Sequence, residues 1–265
     1  MEERPSEETT SEPGLAPHDV LGRVPTGRSL WYELAAAARS RGVRSSVSES
    51  IVETHAAIER IDVPTVDLVS ARRRVAAATG EEERLKERVA AARGDVRGRR
   101  AVDAPVEAAT TKLERAAAEL STAQTERIAA EQALERERER ATVARDARER
   151  RLRLRDRLEN RKRDARAELA RAAYPTFRGA LEAVPMGDPY DAGTEPGDYA
   201  GPDLAASLAA IRIADLEEPV TLSDRARHAF VAVPASRSTR HVSSDEAAAT
   251  AERILGVPID SAGDL

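Results

Sequence analysis

The sequence predicts a mostly helical protein: a long antiparallel coiled-coil hairpin with short N-terminal base helices and a small C-terminal α/β unit. The first observation behind this fold class is the stretch 103–174, which holds no glycine and one proline and consists mainly of strong helix formers. The second is the composition, because 3% aromatic and 34% charged residues are typical of a charged helical rod. The third is a heptad pattern of apolar residues in two consecutive segments.

Two heptad seams predict the hairpin. The first seam consists of Leu68, Ala71, Val75, Ala78, Glu82, Leu85, Val89, Ala92, Val96 and Arg99. The second consists of Leu113, Ala116, Leu120, Ala123, Arg127, Ala130, Leu134, Glu137, Ala141 and Ala144. A break between Gly98 and Pro105 separates them, which favours an antiparallel arrangement. Glu82 and Arg127 are charged residues inside the seams, and we therefore expect their side chains to lie within reach of each other.

The N-terminal part of the chain is predicted to contain a tail and two short helices. Residues 1–28, whose first half is rich in Glu, Ser, Thr and Pro, are expected to form a disordered acidic tail. Residues 29–62 are expected to form the base helices. The first of these ends at Gly42, and the second begins with a capping box made by Ser46 and Glu49.

The coiled-coil hairpin is predicted to occupy residues 63–183, with its second helix ending at Pro175. The first arm, 64–99, is long enough to cover only about residues 105–141 of the second arm. The basic remainder of the second arm, 142–174, therefore needs another partner.

Two arrangements supply that partner. In the first, 47–61 packs against about 144–160 and 29–41 packs against about 164–180 of the same chain. This arrangement gathers four of the seven aromatic residues: Trp31, Tyr32, Tyr174 and Phe177. In the second, the basic remainder pairs with its equivalent in a second copy, which makes the protein a homodimer. The first arrangement is the favoured one, and a homodimer stays open.

The C-terminal part is different in composition. Residues 184–201 are rich in proline and glycine and are predicted to be a linker, and residues 202–265 are predicted to be a small α/β unit. Its expected elements are a helix from Pro202 to about Ala214, strands at Val220–Ser223 and Phe230–Val233, a helix from the Ser243–Glu246 capping box to Gly256, and a strand at Val257–Ile259.

One short motif resembles a nucleotide-binding loop. Gly22 to Ser29 reads GRVPTGRS, which fits the phosphate-loop pattern except that Arg28 replaces the required lysine. No clear buried strand precedes the motif, and Pro25 lies inside it. We therefore interpret it as a turn before a helix.

A basic run marks the second half of the long helix. Residues 145–171 contain twelve basic and six acidic residues, and no aromatic residue that could stack on bases lies among them. One interpretation is a solvated face whose charges pair along the helix. The other is a surface for nucleic acid or an acidic partner. The candidate partner-binding residues are Arg148, Arg151, Arg155 and Lys162.

Catalytic and metal chemistry find no support in the sequence. The chain has no cysteine, and its four histidines are not at metal-ligand spacing. No serine lies in a nucleophile context. We therefore expect no catalytic residues, no metal and no cofactor, and a protein that is not an enzyme. No run of 18 apolar residues and no signal peptide is present, so we expect a cytoplasmic protein with no membrane contact.

Several segments resemble an uncharacterised coiled-coil family of haloarchaea. They are LAAAARSRG at Leu34–Gly42, ARRRVAAA at Ala71–Ala78, TERIAAEQALERERERA at Thr125–Ala141, RDARERRLRLRDRLENRKRDARAEL at Arg145–Leu169, ADL-x-x-PV at Ala214–Val220 and LGVPI at Leu255–Ile259. The resemblance covers about residues 29–260. It implies an archaeal cytoplasm of high salt, and it assigns neither an activity nor functional residues.

These observations favour a non-enzymatic scaffold or protein-interaction protein that acts through an unknown protein partner. The alternative is a nucleic-acid-associated protein that uses the basic half of the long helix.

Overall fold

The computed structural model describes residues 16–231 and 244–260, and this part of the chain is mostly helical. Its α-helices are α1 (Pro17–Leu21), α2 (Leu30–Ser40), α3 (Ser48–Glu59), α4 (Leu68–Ala101), α5 (Glu107–Leu181), α6 (Asp203–Ile213), α7 (Asp224–Val231) and α8 (Ser244–Leu255). Its strands are β1 (Arg23–Val24), β2 (Val220–Leu222) and β3 (Ile259–Asp260). Two short 3₁₀ helices lie at Pro189–Ala192 and Pro196–Asp198.

The described residues divide into two compact units. Unit 1 contains the residues up to Ile58 and those from Leu154 onward, and unit 2 is Glu59–Arg153. The 75-residue helix α5 contributes to both units.

Unit 2 is built from α4 and the first part of α5, which run antiparallel. The backbone N–H of Asp67 donates to a Glu137 carboxylate oxygen at 3.2 Å, and Arg88 forms an ion pair with Glu119 at 2.7 Å. Near the turn, Arg99 lies 3.5 Å from the carbonyl oxygen of Pro105. As the residue number rises along α4, that of its partner on α5 falls, which defines an antiparallel pair. We refer to these two segments as the α4–α5 pair.

The predicted heptad seams are the contact surface of the α4–α5 pair. On α4 the buried residues are Ala71, Glu82, Leu85, Val89, Ala92 and Val96. On the unit 2 part of α5 they are Ala109, Ala116, Ala123 and Ala144. With the exception of Ala109, all belong to the predicted seams. Alanine at eight of the twenty seam positions lets the helices approach closely, but each alanine buries little apolar area.

Unit 1 contains a three-stranded parallel sheet in the order β1–β2–β3. Arg23 pairs with Thr221 and Val24 with Leu222 across the first two strands, and Val220 pairs with Ile259 across the other two. The core against this sheet includes α6, which is buried along nearly its whole length. Its first eight residues after Asp203 carry no charge, as expected of a helix that is covered on all sides.

The prediction of a disordered tail over residues 1–28 is wrong for part of that length, because Pro17–Leu21 form α1 and Arg23–Val24 form β1. Val20, Leu21 and Val24 are buried in the core. The strand is two residues long, and its partner β2 lies about two hundred positions away in the chain. A local pattern therefore could not reveal it. The β1–β2 pairing also makes the predicted tail part of the same sheet as the predicted C-terminal unit.

The predicted end of the long helix at Pro175 is also wrong, because α5 continues to Leu181 with the proline inside it. An internal proline costs about 3 kcal/mol of helix stability. Tyr174 and Phe177 on either side are buried, with their rings stacked at 5.5 Å between centroids. Burial of these two aromatic side chains offsets a loss of that size.

In the C-terminal part, the strand at Val220–Ser223 is confirmed as β2, whereas Phe230 and Val231 lie in helix α7 instead of a strand. The N–H of Ala226 donates to the Ser223 hydroxyl at 3.3 Å, which caps the start of α7. The rest of the predicted second strand and Ser243 of the capping box fall outside the described residues. The last strand forms at Ile259–Asp260.

The predicted linker 184–201 packs against the core of unit 1. The Tyr174 hydroxyl donates to the carbonyl of Ala192, which is fully buried. The Asp198 carboxylate accepts hydrogen bonds from Thr194 and Glu195, which hold its pKa below the usual value. This segment therefore has a fixed conformation that composition alone did not indicate.

The base helices cover α5 within unit 1, as the favoured arrangement predicts. Ile51 of α3 packs with Leu158 and Ala165 in a small apolar cluster. Arg161 donates to the carbonyl of Ser50 at 2.8 Å. The Glu168 carboxylate accepts from the Ser46 N–H at 3.0 Å. The contact region on α5 lies roughly two turns further toward the C-terminus than predicted.

Candidate functional site: the basic run and a buried carboxylate

The basic run of α5 is largely used inside the protein. Arg151 donates to the carbonyl of Ile61 at 2.9 Å, and Arg161 holds the backbone of α3. The Arg166 guanidinium lies 3.7 Å from the ring centroid of Tyr32. Three further residues of the run bind polar groups on α5 itself: Arg153, Lys162 and Arg163. Arg171 lies over the ring of Trp31 at 5.4 Å. Seven of the twelve bases therefore have intramolecular partners.

The four candidate partner-binding residues do not share one environment. Arg151 is half-buried and bound to Ile61, and Lys162 is paired with Glu159 at 3.0 Å. Arg148 and Arg155 are exposed and make no hydrogen bond or ion pair within the described part of the chain. Arg148 and Arg151 belong to unit 2, whereas Arg155 and Lys162 belong to unit 1.

Sequence reasoning missed a buried polar cluster in unit 1. Glu33 of α2 is 2% exposed, and one of its carboxylate oxygens accepts from the Ser207 hydroxyl of α6 at 2.6 Å and from the Thr26 hydroxyl. Burial raises the pKa of Glu33, the hydrogen bonds from Ser207 and Thr26 lower it, and the charge of Asp203 raises it again, with a net upward shift. The cluster joins α2, α6 and the loop after β1.

Tyr199 lies close to the same charges. Its hydroxyl donates to the carbonyl of Pro202 at 3.0 Å, and its ring packs edge-on against Phe177. Burial, followed by the negative charges of Asp191, Asp203 and Glu33, raises the pKa of Tyr199 to about 12. Gly201 fits here because a Cβ atom at this position would lie 2.5 Å from the Tyr199 hydroxyl oxygen.

The loop after β1 does not have the form of a phosphate loop. Helix α1 precedes the motif, the two-residue strand β1 lies inside it with Arg23 exposed and Val24 buried, and α2 follows. The first glycine of the motif, Gly22, however, lies before the strand. The N–H of Arg28 donates to the Thr26 hydroxyl at 3.0 Å, and the Thr26 hydroxyl in turn donates to Glu33. These contacts tie the loop to the protein rather than leaving it free to surround an anion.

The described residues also lack two other kinds of feature. Within residues 16–231 and 244–260, no group of three or more histidine, aspartate or glutamate side chains is arranged to hold a metal ion. Over the same part of the chain, no helix combines the length and the apolar character needed to cross a membrane.

The comparison with protein families matches the chain over residues 2–259, nearly its whole length, to a family of unknown function, DUF7856. The chain belongs to this family. The expected membership of an uncharacterised family is thereby confirmed, and the haloarchaeal origin stays a prediction. No curated protein and no solved structure matches the chain.

Proposed function

We propose that this member of the family is a cytoplasmic, non-catalytic scaffold that presents the α4–α5 pair as a protein-interaction arm. The observation that carries the proposal is how the pair uses its apolar residues. The heptad positions of the two helices face each other, and all but Arg99 are buried or half-buried, so the pair does not depend on a further helix to cover its seam. Its outer faces are therefore open to a partner along the length of the pair.

Apolar side chains on an outer face support this role. Val69 and Ile128 are 58% and 48% exposed. Each directly follows a seam residue, Leu68 and Arg127, and therefore occupies an outer position of the heptad, away from the seam. The pair does not need either side chain for its own packing, so both are available to a protein partner.

The alternative function, association with nucleic acid through the basic run 145–171 as a whole, is less well supported. It requires that the run's arginine side chains be free to reach phosphates. Arg151, Arg161 and Arg166 instead hold the backbone of residues 50–61 and the ring of Tyr32.

Site-specific photo-cross-linking in cells tests the scaffold. A photoreactive amino acid at Ile128 reports on the outer face, and the same group at Met186 of unit 1, which is 55% exposed, is the matched control. We expect a defined adduct with another polypeptide from position 128 and none from position 186. The substitution Ile128→Asp should abolish co-purification of that polypeptide without changing helicity.

Two outcomes would contradict the proposal that the α4–α5 pair is an interaction arm. Adducts that form from position 186 alone would move the interaction surface to unit 1. If neither position yields an adduct and the full-length protein elutes as a free monomer, the proposal of a scaffold is contradicted.

A further inference from the structure

Arginine side chains from both helices of the α4–α5 pair form no hydrogen bond or ion pair in one half of the described unit 2. Seven are exposed and make no hydrogen bond or ion pair within the described part of the chain: Arg72, Arg73, Arg74, Arg136, Arg145, Arg148 and Arg150. We call this set the arginine surface. Only the last three belong to the basic run identified in the sequence.

The packing of the pair brings the two groups of arginines to the same end. The contact between Asp67 and Glu137 and the ion pair between Glu82 and Arg127 bracket the run Arg72–Arg74 on α4. The facing stretch of α5 therefore lies between residues 127 and 137, and Arg136 is part of it. From Arg136 the exposed arginines continue along α5 to Arg150, over about 21 Å at 1.5 Å per residue. At about 100° per residue, Arg136 and Arg150 lie on the same side of the helix and Arg145 lies on the other.

The positive charge of this surface is only partly neutralised by its surroundings. Residues 68–78 of α4 contain no acidic side chain. On α5, Glu135, Glu137 and Glu149 are bound to other arginines: Arg138, Arg140 and Arg153. The acids without such a pair in the α5 stretch are Glu139 and Asp146. Asp67, directly before α4, interacts electrostatically with Arg74 and Arg73. Seven exposed arginines thus face three acids that form no ion pair, in a chain whose formal net charge is −5.

The residue types of the arginine surface indicate which class of ligand it binds. The exposed cations are all arginine, whose planar guanidinium binds phosphate oxygens in a two-pronged manner. Unit 2 contains no aromatic residue on which an unstacked base could lie. Contacts to a phosphate backbone position a protein on a duplex without reading its sequence. We infer that the arginine surface of α4 and α5 binds the phosphate backbone of double-stranded nucleic acid without sequence preference.

The test measures binding of the full-length protein to a fluorescent DNA duplex of about 20 base pairs by anisotropy, over a range of salt concentrations. The triple variant Arg72→Gln/Arg136→Gln/Arg148→Gln removes three charges of the surface. The matched control Arg93→Gln/Arg97→Gln/Arg115→Gln removes three exposed and unpaired arginines from the turn end of the same pair. Helicity measured by circular dichroism shows that both variants remain folded.

We expect the surface variant to lose at least tenfold in affinity. The slope of log K against log salt should become less negative by about 2.7, because each phosphate contact contributes about 0.9. The control variant should keep most of the affinity. An equal loss in both variants would show a general charge effect and overturn the site.

Three further results would also overturn the inference. One is the absence of duplex binding by the unaltered protein at about 50 mM salt, where such contacts are strong. Another is single-stranded DNA binding at least as tightly as the duplex. The third is tighter binding of polyglutamate than of DNA, which would assign the surface to an acidic polypeptide. None of these measurements depends on the scaffold role, since they use the isolated protein.

Discussion

Glu82 of α4 and Arg127 of α5 form an ion pair, with 2.5 Å between Oε2 and Nε, inside the seam of the α4–α5 pair. The Glu82 side chain is 7% exposed and that of Arg127 is 32% exposed. Each occupies a position where the heptad pattern otherwise places an apolar residue. This ion pair lies midway along the seam and brings the charged seam residue of one helix against that of the other. The contact therefore fixes the register of the two helices.

A double-mutant cycle on this pair gives the first prediction. Glu82→Leu alone and Arg127→Leu alone should each lower the urea midpoint of unfolding, because each removes the partner of the other residue across the seam. The remaining charge then keeps only an ion pair on its own helix, Lys86 for Glu82 and Glu131 for Arg127. The double variant should be more stable than either single variant, since two leucines restore an apolar layer. Unfolding is followed by circular dichroism of the full-length chain. Single effects that simply add in the double variant would show that the two side chains are not coupled.

The heptad part of the fold could be predicted because its contacts are periodic in the sequence. The Glu82–Arg127 contact follows from counting seven-residue steps from Leu68 and Leu113, and no distant information is needed. Strand β1 is the opposite case, because Arg23 and Val24 become a strand only by pairing with Thr221 and Leu222. A two-residue segment has no periodicity of its own to detect.

The buried carboxylate could not be predicted for a related reason. The face of α2 with Trp31 and Leu34 was recognisable as apolar, but Glu33 is buried on another side of the same helix. One signal did exist, in the uncharged sequence of α6 from Leu204 to Ile211, which indicates a helix surrounded by others. It shows that a neighbour must cover α6 but does not say that α2 supplies Glu33 to Ser207.

The substitution Glu33→Gln should make unit 1 more stable at neutral pH. The folded state raises the pKa of Glu33, so its contribution to stability is complete below the ordinary value of 4.5 and is lost as the pH rises through the folded-state pKa. Glutamine keeps the acceptor oxygen for Ser207 and Thr26 but cannot ionise. The advantage of the variant should therefore be largest near pH 8 and should vanish at acid pH, as measured by urea midpoints.

Glu182→Gln is the matched control for this experiment, because Glu182 is an exposed carboxylate of the same unit. It should leave the pH profile unchanged. If Glu33→Gln and the unaltered protein show parallel profiles from pH 4 to pH 8, Glu33 ionises in the folded state as it does in the unfolded one.

The substitution Ser207→Ala should destabilise unit 1 by about 1–3 kcal/mol, the range for removing a hydrogen bond to a buried acceptor. The 2.6 Å bond from Ser207 lowers the pKa of Glu33, so its loss should also extend the pH dependence of stability to higher pH. Urea unfolding of Ser207→Ala, both alone and combined with Glu33→Gln, measures the coupling. An equal cost of losing the hydroxyl with and without Glu33→Gln at pH 8 would mean that the hydroxyl does not act through the carboxylate charge.

The substitution Gly201→Ala should lower the pKa of Tyr199 from about 12 toward the ordinary value of 10. The added Cβ atom would lie 2.5 Å from the Tyr199 hydroxyl oxygen and 2.9 Å from a carboxylate oxygen of Asp191. The tyrosine must move, and its hydroxyl then gains contact with water, which removes the largest cause of the raised pKa. Ultraviolet titration of the tyrosines measures the change. Gly179→Ala, where nothing lies within 4 Å of an added Cβ, should leave the titration unaltered. A Tyr199 whose pKa stays at about 12 in Gly201→Ala would show that Gly201 does not control the burial of its hydroxyl.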